Sequence, residues 1–162
     1  MEHGTQHRKT GARQTKHADV ITWFLSKLAA EARTDPDSEL VWSVPTARSD
    51  RAYNWGRSAI APDAVGQMTA QGLRIPFYLE HELRARLPEG VIARLEPYDS
   101  YYWSPEPEDD QPPFPVTLFV VDTEEVEDTY VHTSTRMSRM SLPILVSCTS
   151  VLSRRGILGE SW

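Results

Sequence analysis

Three acidic residues carry the strongest chemical signal in this sequence. Asp63 follows Pro62, and Glu80 and Glu82 close the run Ile75-Pro76-Phe77-Tyr78-Leu79-Glu80-His81-Glu82. Between the two segments lies Gln71-Gly72, which suits a two-residue hairpin turn because glycine supplies the positive φ such turns need. With those residues as the loop, Ala70 pairs with Leu73, and counting outward brings Asp63 opposite Glu80. Side chains alternate along a strand, so Glu80 and Glu82 share one face while Leu79 and His81 share the other. Directly opposed side chains lie about 5 Å apart at Cβ. Carboxylates that close repel unless a cation lies between them or one holds a proton. Mg²⁺ or Mn²⁺ would meet that need through oxygen ligands, with Asp63 and Glu80 as metal ligands. Such an ion can activate water and neutralise charge on a phosphodiester. The competing reading is plain: acids at strand ends are often only solvated, and Pro-Asp is a common turn pair.

Other residues admit two readings each. Arg84, Arg86 and Arg94 either contact nucleic-acid phosphates or neutralise Glu80, Glu82 and Glu96 nearby. Glu31 is either a further acidic ligand or an exposed helix residue, and the exposed residue is the simpler reading. His81 should face away from the acids, toward a core or a helix. His3, His7 and His17 fall near or within a polar N-terminal tail, where no role is expected. Tyr98, Tyr101, Tyr102 and Trp103 could stack on bases, but aromatic side chains more often pack helix against sheet. Cys148, in an apolar run, reads as an inert core residue. No phosphate-cradling glycine loop, nucleophile elbow or HExxH motif occurs.

The elements that must position these residues follow from periodicity. Residues 1–15 are polar, lack apolar spacing and read as a disordered basic tail. Val20, Trp23, Phe24, Leu28 and Ala29 predict a helix over 16–33. Leu40 to Val44 is a short strand stopped at Pro45, and 46–60 is loop-like. Strands are expected over 60–68 and 73–82. A helical segment begins near Val91, after Pro88-Glu89-Gly90, with Pro97 as a second interruption. An acidic, proline-rich loop follows over 104–115. Val116 to Val121 is an apolar strand, 123–140 is helical in part, 142–151 is a second apolar strand, and 154–162 is a tail. Apolar strands flanked by helices give an α/β fold, a mixed sheet covered on both faces.

Length and composition bound the rest. At 162 residues, with 40% hydrophobic and 25% charged residues, the chain suits one soluble domain, 16–162, after its tail. No apolar run reaches the length that spans a membrane, and no signal peptide is evident. One cysteine excludes an internal disulfide and a multi-cysteine zinc site. These features point to the cytoplasm. The net charge of −6 weighs against strong independent DNA binding, which rests on phosphate contacts. The acidic stretch 104–110 offers a protein partner an alternative surface.

The order of motifs resembles the C-terminal domain of the replication-relaxation family, associated with plasmids and other mobile elements. The residues that carry it are Pro62-Asp63-Ala64, Pro76 to Ala85, Arg94-Leu95-Glu96-Pro97-Tyr98 with Tyr101-Tyr102, Val116 to Val121, and Gly156-Ile157-Leu158-Gly159 with Trp162. The match runs over about residues 17–162. The resemblance implies a PD-(D/E)xK, restriction-endonuclease-like core. It casts Asp63 and Glu80 as metal ligands, with the carbonyl of His81 assisting. Glu82 stands where an active nuclease of that kind keeps a lysine, and glutamate cannot supply positive charge to the attacking water. Full-length members place a winged helix before this domain. Residues 1–16 are too short for one, so the chain is expected to be either a stand-alone domain or one without its DNA-reading half, with DNA as a partner on its own or together with a separate DNA-binding chain. Three functions follow as expectations: a nuclease-like, DNA-associated domain of a plasmid or mobile-element replication or transfer system; a Mg²⁺-dependent DNA endonuclease with Asp63, Glu80 and Glu82 catalytic; or an inactive protein-interaction module.

Overall fold

A computed structural model describes residues 4–44, 53–55, 58–83, 85–103, 115–137 and 142–159. The chain runs α1 (Gly4–Ala32), β1 (Glu39–Ser43), β2 (Tyr53–Trp55), β3 (Ser58–Ile60), β4 (Ala64–Ala70), β5 (Leu73–Glu82), α2 (Pro88–Tyr102), β6 (Val116–Val121), α3 (Glu124–Arg136), β7 (Ile144–Cys148) and α4 (Thr149–Arg155). Five strands form one mixed sheet in the order β1-β4-β5-β6-β7. β1, β4 and β5 are antiparallel neighbours, whereas β5, β6 and β7 run parallel. This is the expected α/β arrangement of a mixed sheet flanked by helices. No helix among the described residues is long and apolar enough to cross a membrane.

Two cores lie on opposite faces of the sheet. Ile21, Phe24, Leu25 and Leu28 of α1 meet Phe77, Leu79, Leu118 and Val120, with Leu152 of α4 beside them. On the other face Val91, Leu95, Tyr98 and Tyr101 of α2 join Val126 and Tyr130 of α3 over Tyr78, Phe119, Val121 and Cys148. The alternation along β5 is therefore used on both sides, as for a strand covered by helices above and below. Phe77 closes over Gly66 on the neighbouring strand: a Cβ there would stand 2.4 Å from the ring.

The hairpin follows the turn chemistry. Gln71 and Gly72 both have positive φ (52° and 76°), and Ala70 pairs with Leu73. Other boundaries differ from the sequence reading. α1 begins at Gly4, well ahead of Lys16; apolar spacing marks where a helix packs, not where its backbone starts. The stretch read as loop contains the β2–β3 ribbon, and the strand expected over 60–68 is broken at Asp63 into β3 and β4. α2 starts at Pro88 rather than Val91, because proline fits a first helical turn whose N–H groups lack partners anyway. Pro97 lies inside it, yet the helix continues, its face held down by Val91, Leu95, Tyr98 and Tyr101. α3 begins after Thr123, whose hydroxyl accepts from Val126 N at 3.3 Å.

The last apolar run is the clearest departure. A strand expected over 142–151 ends at Cys148, and the chain turns into α4, where a tail was expected from Arg154. Short apolar runs cannot be assigned to strand or helix by period alone. Glu31 holds the chain that follows α4. Its Oε2 accepts from Ile157 N at 2.7 Å and Leu158 N at 2.8 Å, joining the end of α1 to the chain after α4. Gly156 adopts φ 87° there, and a Cβ would come within 3.2–3.4 Å of the Glu31 carboxylate. Glu31 is thus neither a plain exposed residue nor placed with Asp63 and Glu80. Glu31→Ala leaves two backbone donors without their charged acceptor, and the expected loss is about 2 kcal/mol. Glu31→Gln, which keeps an acceptor, should lose less. Urea denaturation of both variants checks this; equal losses would show that a neutral acceptor recovers nothing and that the carboxylate charge carries the whole effect.

Candidate functional site: an acidic centre closed by protein donors

The register brings Asp63 to Glu80. Ala64 pairs with Leu79, and Asp63 N donates to Leu79 O at 2.9 Å, so Asp63 stands at the end of β4 beside Glu80. Glu80 and Glu82 lie on the α2 face, with Tyr78, and both are buried. His81 lies on the α1 face, also buried, as alternation requires.

Each acid meets donors from other elements. From α2, Arg94 Nη2 binds Glu80 Oε2 and Tyr98 OH donates to Glu80 Oε1. Arg94 Nε stands 3.1 Å from Glu82 Oε2, and Ala85 N donates to Glu82 Oε1 at 3.0 Å. The single guanidinium therefore bridges two carboxylates. Asp63 Oδ2 accepts from His81 N at 2.9 Å, and Asp63 Oδ1 lies 2.8 Å from His17 Nε2 on α1. On the far side of His81, Nε2 is 3.5 Å from Asp122 Oδ1, and the His17 and His81 rings stack with centroids 5.2 Å apart. Asp122 also holds Lys16 Nζ at 2.9 Å and lies 3.6 Å from Arg86 Nη2.

The electrostatics follow from burial and these partners. Glu80 has no exposed surface. Burial pushes its carboxyl up to about 8; Arg94 opposes this and the Asp63 charge adds to it. Burial also raises the Tyr98 hydroxyl, which therefore stays a donor. Asp63 behaves oppositely. Its burial acts upward, but the bonds from His17 and from His81 N outweigh it and hold the group below the ordinary aspartate value. Burial, aided by His17, lowers the His81 imidazole, favouring the neutral ring. For Asp122, Lys16 outweighs burial and lowers the carboxyl.

This arrangement does not fit a Mg²⁺ or Mn²⁺ ion. Both oxygens of Asp63, of Glu80 and of Glu82 already face protein donors. Among the described residues no group of three or more His, Cys, Asp or Glu side chains is placed to hold a metal ion. A proton and a guanidinium do here what a divalent cation would do between the carboxylates. A cavity of about 640 Å³ lies between α2 and α3, lined by Ile92, Asp128, His132 and Arg136 among others, and none of the three acids lines it.

The other sequence candidates fall as follows. Arg94 meets the acids. Arg86 meets Asp122 and is largely exposed. Arg84 and the acidic stretch 104–110 lie outside the described residues. Tyr98 and Tyr101 are core residues and Trp103 is 60% exposed, so the aromatic cluster divides between packing and surface. Cys148 is buried; its N–H donates to Glu127 Oε2 at 2.8 Å. Sequence reasoning missed His17, Lys16 and Asp122 as parts of the centre, and gave Tyr98 no bond to Glu80. One signal was available: His17 stands one helical turn before Ile21 and extends its buried stripe through Phe24 and Leu28. Comparison with protein-family models, curated proteins and solved structures finds no match to this chain.

Proposed function

We propose that this chain is a nuclease-like domain of a plasmid or mobile-element replication or transfer system whose acidic centre is closed, so that it works by binding rather than by hydrolysis. One helix, three antiparallel strands, a crossover helix and a parallel strand is the order expected of a restriction-endonuclease-like core, and the acids stand at the strand ends where such a core keeps its metal ligands. The observation that carries the inactive reading is Arg94, whose guanidinium bridges Glu80 and Glu82 while Tyr98 takes the remaining Glu80 oxygen. Glu82, where a catalytic lysine would stand, cannot polarise water; here it is ion-paired with Arg94 and accepts from Ala85 N. With a net charge of −6, DNA association would come through a separate DNA-binding chain.

The test is a calorimetric titration of Mn²⁺ into the wild type and Glu80→Ala, alongside incubation of supercoiled and linear DNA with the protein in Mg²⁺ and in Mn²⁺. No Glu80-dependent heat and no cleavage are expected. Mn²⁺ binding that vanishes in Glu80→Ala, together with metal-dependent cleavage, would restore the endonuclease reading with Asp63, Glu80 and Glu82 catalytic.

A further inference from the structure

β1 is an edge strand among the described residues, and its own sequence carries little that would keep an edge from pairing. Its outer backbone groups meet no strand among the described residues. The sequence Glu39-Leu40-Val41-Trp42-Ser43 has no lysine, no proline and one charge, at its end. Val41 is 59% exposed, Trp42 41% and the following Val44 44%, three large apolar side chains in a short segment. Natural sheets blunt such edges with charge, proline, bulges or a covering element.

The chemistry of the strand selects its partner. Placed antiparallel to itself about a two-fold axis through Val41, β1 sets Leu40 opposite Trp42 of the second copy, and Glu39 opposite Ser43. No like charges meet, and the dimer gains two aliphatic–aromatic cross-strand pairs, a favourable kind. Leu40 pairs with Met68 and Trp42 with Gly66, so both stand on the α1 face. Leu40 and Met68 already flank the core on that face. The new cluster would thus continue an existing core and cover the exposed Trp42. Pairing β1 with the other edge, β7, would be head-to-tail and leave an unsatisfied edge at each end, giving open chains rather than a closed pair.

We propose that the protein self-associates through β1, joining two five-stranded sheets into one continuous sheet about a two-fold axis at Val41. Sedimentation velocity over a concentration series tests it. The wild type should reach twice the monomer mass, and Val41→Lys, which sets two ammonium groups against each other on the axis, should remain monomeric with an unchanged far-UV circular dichroism spectrum. Val41→Cys checks the axis itself. Residues directly opposite in adjacent strands have Cβ atoms about 4.5–5.5 Å apart, close to disulfide reach. Mild oxidation should crosslink most of that variant, whereas Leu73→Cys, equally exposed but at the hairpin tip, should give little crosslinked dimer. A wild type that stays monomeric, a dimer that survives Val41→Lys, open-ended polymers, or equal crosslinking of the two cysteine variants would each overturn the proposal.

Discussion

Arg94→Met should destabilise the protein by about 3 kcal/mol at pH 10, where Glu80 is ionised beside Arg94, and by clearly less at pH 6. Removing one member of a buried ion pair costs about 3–5 kcal/mol because it leaves the other charge without compensation. Here the group left behind is Glu80, with no exposed surface, and Glu82 beside it is 8% exposed. The lower end applies because the Arg94 side chain keeps 38% of its own exposure, so water screens part of the interaction. Methionine retains an apolar stem of similar length, which confines the change mostly to the charge. The pH dependence follows from Glu80. Below about pH 8 its carboxyl holds a proton and no longer needs a guanidinium, so the penalty shrinks. Urea denaturation of wild type and variant at the two pH values measures it. A loss independent of pH would mean that Arg94 contributes by packing rather than by charge.

The second large effect concerns Glu80 itself. Its carboxyl is pushed up to about 8 in the folded protein against an ordinary value of 4.5. The folded state therefore holds the proton more tightly than the unfolded chain. The associated stability is fully present below about pH 4.5 and is lost as pH rises through about 8. Over that window the loss approaches about 4–5 kcal/mol, taking 1.36 kcal/mol per unit. Glu80→Gln resembles the protonated acid and has nothing to ionise. It keeps an oxygen for Tyr98 and leaves Arg94 the Glu82 carboxylate. The variant should therefore be close to wild type or weaker at pH 5 and gain on it steadily up to pH 9. Paired urea curves across that range decide the matter. If the difference did not change with pH, Glu80 would be ionised throughout, and Arg94 would outweigh its burial. Because the two residues touch, the double variant should not be the sum of the singles.

Both effects arise in a centre whose geometry was partly legible and whose chemistry was not. The Gln71-Gly72 turn and strand alternation sufficed to place Asp63 at Glu80, Glu82 on the same face, and His81 on the other. These are local properties, set by a two-residue loop and a period of two, and tertiary packing had no room to change them without moving every core residue of β5 to the opposite face. Arg94 and Tyr98 were harder to assign. They stand one helical turn apart on α2, the spacing that lets both reach one strand residue, but nothing in the sequence fixes how α2 rotates over the sheet. Leu95 and Val91 fix it, by burying the face that adjoins Arg94. His17 lay beyond the apolar pattern, and Asp122 belongs to a different strand end.

What the sequence determined by itself is therefore the layout: an α/β chain, one long hairpin in a defined register, and three acids in the same patch. Only the tertiary structure decided what those acids are. Whether a carboxyl is solvated, metal-binding or proton-holding depends on which groups exclude water from it and which donors reach it, and those come from α1, α2 and the end of β6. The same holds for residues 149–155, where a short apolar run suits either strand or helix. Glu31, more than a hundred positions earlier in the chain, supplies the acceptor for the backbone that follows α4. Registers and periods are written in neighbouring residues; burial and charge compensation belong to contacts between distant ones, and in this protein they convert a metal-type cluster of acids into a closed, arginine-bridged centre.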